Sequence, residues 1–346
     1  MFSFDDLKTL LIQAPMAGGP STPALVAAVA NAGGVGSYGF AYSGPEKIAA
    51  DLSAAASLID RSAQGAVNAN FFVFSPVEVH DESILDAALG DLADSVNTDA
   101  LEFQYPKPPY FPELELQLEA VWDNAPEILT FHFGIPSSAV LQRAKERGIY
   151  VGITATNLEE ARAIESAGAD FVVAQGIEAG GHRGVFDQSA DDTALSANAL
   201  LRELRDEVSL PLVAAGGIMN RMDIDAALNA GARAVQMGTA FLTTHESGAS
   251  AAHKRYLLDG SGRGTCLTRG FSGRTARGIE NSFTTAMEGK SVMPFPLQNT
   301  LTGKMRARAT ADDDGEFQSL WAGTGLGQCR AESASEVIDR LFNASE

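Results

Sequence analysis

One histidine lies in a sequence context that suits proton transfer. His182 belongs to the glycine-dense stretch EAGGHRG at 178–184, where small neighbours allow a flat ring to approach closely. Histidine is the usual acid–base group near neutral pH. These features predict a catalytic role for His182, and the alternative is a histidine in an exposed surface loop.

Two glycine-bearing turns indicate a site for a phosphate group. Residues 214–217 (AAGG) and 236–239 (QMGT) each follow a short apolar run and precede a helical pattern. Without a Cβ in the way, backbone N–H groups approach an anion, and the N-terminus of the following helix adds a favourable field. Turn glycines without a ligand are the alternative, but two such turns in consecutive units favour a phosphate-bearing cofactor.

The other candidate groups are less distinctive. His132 lies between two phenylalanines in TFHFG, so a structural and a functional role are both open, and Arg183 either holds a phosphate or forms a surface ion pair. A serine hydrolase is excluded because the chain has no GxSxG motif. No metal site is expected, since neither HExxH nor a carboxylate cluster beside a histidine occurs.

Eight short apolar runs predict the strands that must position these groups. Each run is rich in β-branched or aromatic residues and is continuous rather than alternating, as in parallel strands buried on both faces. The runs are 10–14, 35–40, 66–73, 127–133, 150–155, 171–176, 211–217 and 234–239. Amphipathic helical patterns lie between them, and several end in glycine, as helices commonly do.

An internal repeat favours one fold over another. Asn157 followed by Ala-Gly-Ala at 167–169 recurs at equal offsets as Asn220 followed by Ala-Gly-Ala at 230–232. Eight such strand–helix units predict an α/β fold, a (β/α)8 TIM barrel with a smaller, mainly helical appended domain. A doubly wound open sheet is the alternative, but the GxGxxG turn typical of that fold is absent after the first predicted strand.

The predicted barrel accounts for residues 1–243. Residues 244–310 are expected to form a helical and irregular cap over the barrel mouth, with a long irregular stretch at 263–283. Residues 311–346 are expected to return to the barrel through a helix at 332–342. Active sites of such barrels lie at the C-terminal ends of the strands, where His182 and both glycine turns fall.

Composition restricts the class of protein. The 346 residues include 44 acidic and 25 basic side chains, a formal net charge of −19, which argues against nucleic-acid binding. No apolar run is long enough to cross a membrane, the N-terminal residues do not predict a secretion signal, and two cysteines are too few for a disulfide framework, so a cytoplasmic protein is expected. Residues 262–308 are locally basic, and they either face an anionic ligand or dock on acidic neighbours.

Longer motifs resemble one family. QGIEAGGHRG at 175–184 resembles the signature loop of the nitronate monooxygenases, formerly called 2-nitropropane dioxygenases. The likeness covers nearly the whole chain, since further motifs of that family resemble the stretches at 15–39 (PMAGG…SYG), 67–73 (VNANFFV), 214–247 (AAGGIM…TTHES), 268–279 (TRGFSGRTARGI) and 294–302 (PFPLQNTLT).

The resemblance implies FMN bound without a covalent link, and His182 as the catalytic residue. The predicted substrate pocket contains His132, Phe295, Asn299 and Lys304; Phe295 and Asn299 stand where some members carry tyrosines. The predicted cofactor contacts are Pro15, Met16, Ala17, Asn70, Gln175, Gly180, Gly181, Ala215, Gly216, Gly217, Gln236, Met237, Gly238 and Thr239.

The implied reaction is the oxidation of an alkyl nitronate, such as propionate 3-nitronate, with O2 to a carbonyl compound and nitrite. The partners are then a small anionic or nitroalkane substrate and O2, and His182 either removes a proton from a neutral nitroalkane or hydrogen-bonds the nitronate. One alternative is an FMN-dependent NAD(P)H:quinone or enoyl-thioester reductase of the same barrel superfamily. Another is a flavin-binding protein without turnover. The oligomeric state is left open between monomer and homodimer.

Overall fold

The eight predicted strands form a closed parallel barrel. The computed structural model describes residues 2–60, 62–77, 82–96, 103–259 and 262–343. The barrel strands, in spatial order, are β1 (Leu11–Gln13), β2 (Val35–Gly39), β3 (Ala66–Phe72), β4 (Ile128–His132), β5 (Tyr150–Ala155), β6 (Phe171–Gln175), β8 (Leu212–Ala215) and β9 (Ala234–Met237). The two-residue strand β7 (Gly181–His182) lies outside the barrel. Each predicted strand is confirmed to within two residues at either end, and so is the (β/α)8 fold.

The strand register brings polar side chains to one level at the barrel mouth. Asn70 of β3 pairs with Thr130 of β4, and Gln175 of β6 pairs with Ala215 of β8, which in turn pairs with Gln236 of β9. In a parallel barrel the C-terminal strand ends meet at one face. Residues far apart in sequence therefore surround a common opening.

The other end of the barrel is plugged by aromatic side chains. Phe4 packs edge-on against Tyr150 and Phe171, whose rings stack on each other with centroids 5.4 Å apart. Phe4 and Phe171 are buried within the same apolar cluster as the interior residues of the strands. The barrel interior is thus a packed core, and its free end is the C-terminal one.

The helices between the strands begin and end where the sequence signals lie. Asn157 and Asn220 each accept a hydrogen bond from the backbone N–H three residues later, and Gly168 and Gly231 end the two helices in the left-handed conformation. The internal repeat is thereby a repeat of helix caps. The helices are α1 (Pro23–Asn31), α2 (Pro45–Leu58), α3 (Glu82–Ser95), α4 (Leu114–Asp123), α5 (Ser138–Glu146), α6 (Leu158–Ala167), α7 (Ala197–Leu204), α8 (Arg221–Ala230) and α9 (Thr239–Leu242).

The cap over the barrel mouth contains a β-hairpin as well as helices. Its elements are α10 (Ala251–Leu258), β10 (Thr265–Thr268), β11 (Ala276–Ile279), α11 (Ser282–Ala286), α12 (Leu297–Leu301) and α13 (Gly303–Ala311). The prediction that 263–283 is irregular was wrong, because β10 and β11 pair antiparallel and β11 also pairs with β7. Four-residue strands interrupted by arginine and glycine carry too little apolar periodicity to be recognised, and their pairing partner is about 90 residues away.

The apolar core of the cap also includes helix α3, which lies within the residues predicted to form the barrel. Ala88 and Leu92 of α3 are buried in one apolar cluster with Phe271, Phe283 and Met293. The C-terminal helix α14 (Ala334–Ile338), at the predicted place, packs on the barrel side instead. The predicted division of the chain into three consecutive segments at 243/244 and 310/311 stays a prediction.

Among the described residues, no helix combines the length and apolar character needed to span a bilayer.

Candidate active site

A cavity of ≈690 Å³ lies at the C-terminal ends of the barrel strands, under the cap. The predicted catalytic residue His182 lines it, and so do His132 and Asn299 of the predicted substrate pocket. Phe295 packs behind His182, with ring centroids 5.7 Å apart, and Lys304 is exposed on α13; neither is part of the lining. All the predicted cofactor contacts line the cavity: Pro15, Met16, Ala17, Asn70, Gln175, Gly180, Gly181, Ala215, Gly216, Gly217, Gln236, Met237, Gly238 and Thr239.

The imidazole of His182 is held by a serine from the cap. His182 Nε2 lies 2.9 Å from the hydroxyl oxygen of Ser272, and that hydroxyl donates its proton to the carbonyl of Arg274 at 3.1 Å. Since the serine has one proton to give, its oxygen accepts from His182, so the ring proton sits on Nε2. Nδ1 makes no hydrogen bond to any residue that the structure describes. The free lone pair of His182 is therefore on Nδ1.

Burial keeps His182 uncharged. Desolvation, followed by the positive charge of Arg274, lowers the pKa of His182 to about 3, and His132 and Arg306 act in the same direction. The ring is neutral at physiological pH. Its free lone pair needs no prior deprotonation, but the same desolvation that lowers the pKa also makes this nitrogen a weaker base.

The backbone of the His182 loop is fixed by two barrel side chains. Gln175 donates to the carbonyl of His182 at 3.0 Å, and His132 Nε2 lies 3.2 Å from the same oxygen. Because a carbonyl oxygen can only accept, His132 Nε2 donates this hydrogen bond. Desolvation, followed by the charge of Arg274, lowers the pKa of His132 to about 3. His132 thus lines the cavity and also positions the loop.

Arg183 is a buried side chain that forms an ion pair with a carboxylate at the surface. Its guanidinium, 1% exposed, binds both carboxylate oxygens of Asp192 at 2.7 and 2.9 Å. It also donates to the carbonyls of Gln175 and Gly176 at 3.0 Å. Arg183 therefore closes the loop after β6 instead of reaching a ligand.

The two glycine turns form an adjacent pair of donor sites. Gly217 and Gly238 each lie two residues beyond the paired residues Ala215 and Gln236. Within the described chain, the N–H groups of Gly217 and Gly238 donate to no protein acceptor. Gly217 has φ +72°, and a Cβ there would stand 3.1 Å from the Cβ of Glu178. The turns are suited to a phosphate approached by backbone N–H groups.

Sequence reasoning missed four residues of the site, namely Tyr42, Ser272, Arg306 and Trp321. Tyr42 and Trp321 come from segments without any recognisable motif, and only the fold brings them to the cavity. Ser272 lay in a motif but was not singled out. Arg306 offered a signal: it follows Asn299 by seven residues, about two helical turns, in the locally basic stretch.

Comparison with known proteins agrees with this geometry. A family model described as nitronate monooxygenase matches residues 5–344. The chain belongs to the nitronate monooxygenase family. It is 40% identical over 341 residues to the nitronate monooxygenase of Pseudomonas aeruginosa, covering 96% of this chain and 94% of that protein. It is 38% identical over 342 residues to that of Paraburkholderia phytofirmans, covering 96% and 90%.

Solved structures resemble the chain to different degrees. The nitroalkane oxidase of Streptomyces ansochromogenes, 36% identical, superimposes with a TM-score of 0.92 and covers 98% of this chain and 96% of that one. FabK from Thermotoga maritima, 24% identical, covers 98% and 94% with a TM-score of 0.75. At that level of identity the second likeness concerns the fold alone.

Proposed function

We propose that the protein is an FMN-dependent nitronate monooxygenase that converts alkyl nitronates and O2 to a carbonyl compound and nitrite. One observation carries the proposal: a neutral, half-buried histidine with a free Nδ1 shares one cavity with two adjacent glycine turns whose N–H groups are unused by the described protein. Membership of the nitronate monooxygenase family supports the same activity.

The residues present fit FMN. The N–H groups of Gly217 and Gly238 would hold the phosphate, and the side chains of Asn70, Gln175 and Gln236 stand around the mouth for the ring system. Gly180 lets the loop that carries His182 pack closely on the C-terminal segment, because a Cβ there would come within 2.6 Å of the backbone of Ala322. When bound, the flavin supplies the electron acceptor for oxidation of the substrate and the chemistry with O2.

His182 handles the proton. With a neutral nitroalkane, Nδ1 accepts the proton from the carbon that bears the nitro group. The ring then becomes a cation whose Nε2–H still donates to Ser272, and this hydrogen bond strengthens as the charge appears. With a preformed nitronate there is no proton to remove, and His182 positions the anion.

The decisive experiment is anaerobic mixing of the purified holoenzyme with a nitronate and, separately, with NADH. We expect the flavin absorbance to bleach with propyl-2-nitronate and to change little with NADH. Rapid, saturable bleaching by NADH and none by nitronates would instead favour a reductase. Heat denaturation of the same sample should release FMN, identified by its mass, and release of FAD would contradict the cofactor assignment.

A further inference from the structure

The structure assigns the binding of the substrate's anionic group to Arg306, with Tyr42 as a second contact. Both side chains line the cavity that contains His182. The group they fit is a planar anion with two oxygens, and we identify it as the nitro or nitronate group itself. This inference rests on the proposed function and adds the residues that recognise its substrate.

Arg306 is held rigidly on one side and open on the other. Its Nη2 donates to the carbonyl and the side-chain oxygen of Asn299 at 2.7 and 2.9 Å, and its Nε donates to the hydroxyl of Thr302 at 3.2 Å. Nη1 donates to no described residue, and it is not sealed off from the cavity. One edge of a fixed guanidinium therefore faces the space above the barrel.

The charge of Arg306 has no carboxylate partner. Its neighbour Arg308 pairs with Asp312, and Arg255 pairs with Asp313, but no carboxylate of the described chain lies within 4 Å of Arg306. Burial lowers the pKa of Arg306, with Tyr42 acting in the opposite direction. A desolvated guanidinium without a counter-ion is costly unless an anion completes the site.

The other positive groups near His182 are not available to a substrate. His182 itself is neutral, so it supplies no charge. Arg274 is 4% exposed, lies over the ring of Phe133 at 3.7 Å and donates to the carbonyls of Arg183 and Val185. Lys304 points away from the cavity lining. Among the described residues that line the cavity, Arg306 is the cation that remains.

Tyr42 supplies a hydroxyl on the same wall. Its ring packs against Phe72 and Phe74, and its surface, 40% exposed, faces the cavity. Desolvation inside the cavity raises the pKa of Tyr42 to about 12 against the opposing charges of Arg306 and Arg274, so the hydroxyl stays protonated and can donate. A phenol and a guanidinium edge together provide donors for two oxygens of one planar anion.

The test compares Arg306→Gln with Arg308→Gln in the FMN-loaded enzyme at fixed ionic strength. Arg308 lies on the same helix, is exposed and has the same charge, so its loss changes the net charge but not the cavity. Nitrate, a planar and unreactive oxyanion, serves as the probe, and its dissociation constant is read from the change in flavin absorbance. We expect Arg306→Gln to weaken nitrate binding and to raise KM for nitronates about 10–100-fold, Arg306→Lys to recover part of the loss, and Arg308→Gln to match the wild type.

Three outcomes would overturn the assignment. Unchanged nitrate binding in Arg306→Gln, or an equal loss in Arg308→Gln, would do so. A third such outcome is an increase in KM that is confined to nitronates carrying a carboxylate, because Arg306 would then bind that carboxylate rather than the nitronate group. If Arg306→Gln loses its flavin, Tyr42→Phe becomes the test variant, and we expect it to weaken nitrate binding severalfold. Unchanged nitrate binding in Tyr42→Phe would count against the site. Nitrate binding that depends on Arg306 in an enzyme inactive on nitronates would refute the proposed function and leave the anion site standing.

Discussion

His182 Nε2 lies 2.9 Å from the hydroxyl oxygen of Ser272, and this contact determines which ring nitrogen acts as the base. Because the Ser272 hydroxyl is committed to the Arg274 carbonyl, the histidine must donate to it, and Nδ1 is left to accept the substrate proton. The serine belongs to the cap and the histidine to the loop after β6. The protonation pattern of the candidate base is thus set by an element remote in sequence.

Replacing His182 by Asn should leave the flavin bound and lower the turnover of neutral nitroalkanes by about 10²–10⁴-fold, the usual worth of a positioned acid–base group. Preformed nitronates should be affected less, since they need no deprotonation. Steady-state assays with each nitroalkane and its nitronate measure the difference, and His245→Asn, an exposed histidine, is the control. Equal losses on both substrates would assign His182 to binding rather than proton transfer.

The variant Ser272→Ala tests whether Ser272 positions the imidazole of His182. Removing the acceptor of the Nε2–H bond should reduce kcat for neutral nitroalkanes by about 10–100-fold, because the bond is strongest when the ring is charged. The flavin content and the kcat for nitronates should change little. A variant in which both substrates slow down in parallel would indicate a general loosening of the cap instead.

Gly217→Val should weaken FMN binding beyond any effect on stability. The side chain would meet Glu178 and would shield an N–H group assigned to the phosphate. Gly148→Val is a close control, because Gly148 has φ +71° against +72° for Gly217 and lies outside the lining of this cavity. Thermal melts without flavin should show the cost of a β-branched residue at positive φ in both variants, with a further steric cost from Glu178 in Gly217→Val, whereas only Gly217→Val should raise the FMN dissociation constant. If both variants bind FMN as the wild type does, the phosphate lies elsewhere.

Acid should destabilise the fold through three histidines that the folded protein keeps uncharged. The pKa values of His132, His182 and His253 are lowered from 6.5 to about 3, 3 and 4, chiefly by burial. Between about pH 4 and 6.5 the unfolded chain therefore binds protons that the folded chain does not. The contribution of each histidine is fully present above pH 6.5 and is lost as the pH falls toward its folded pKa.

The contribution of a single histidine to the pH dependence of stability is measurable with single substitutions. His253→Gln should reduce the slope of unfolding free energy against pH by about 1.4 kcal/mol per unit near pH 5, while His245→Gln should not. Denaturant titrations at several pH values, at constant flavin saturation, give the slopes. An unchanged slope in His253→Gln would mean that this ring is protonated in the folded state.

The sequence predicted the barrel well because its strands are buried on both faces. Runs such as 150–155 and 171–175 are continuous and apolar, and the packed interior that they imply is observed. The caps Asn157 and Asn220 act within a few residues, so their signal is local. The glycine turns were predicted for the same reason, since backbone approach to an anion needs residues without a Cβ at those very positions.

What the sequence did not reveal depends on distant partners. The β10–β11 hairpin is completed by Gly181–His182, and Tyr42 lines the same cavity as Arg306 of α13, although the two residues are far apart in sequence. Lys304 was the predicted basic residue of the pocket, whereas the structure turns Arg306 inward two positions later. A helical register of that kind is decided by the packing of Met305 and Ala309 against the cap, not by the type of the charged residue.

The backbone of His182 is a strand of the cap sheet, paired with Ala276, and not a strand of the barrel. His182 is therefore a junction between the two parts of the molecule: its main chain pairs with the cap strand at Ala276, while its carbonyl accepts hydrogen bonds from Gln175 and His132 of the barrel. In a chimera that exchanges caps between two relatives, the splice points must accordingly keep residues 181–182 and 272–279 from the same parent, or the base will be paired with a foreign strand.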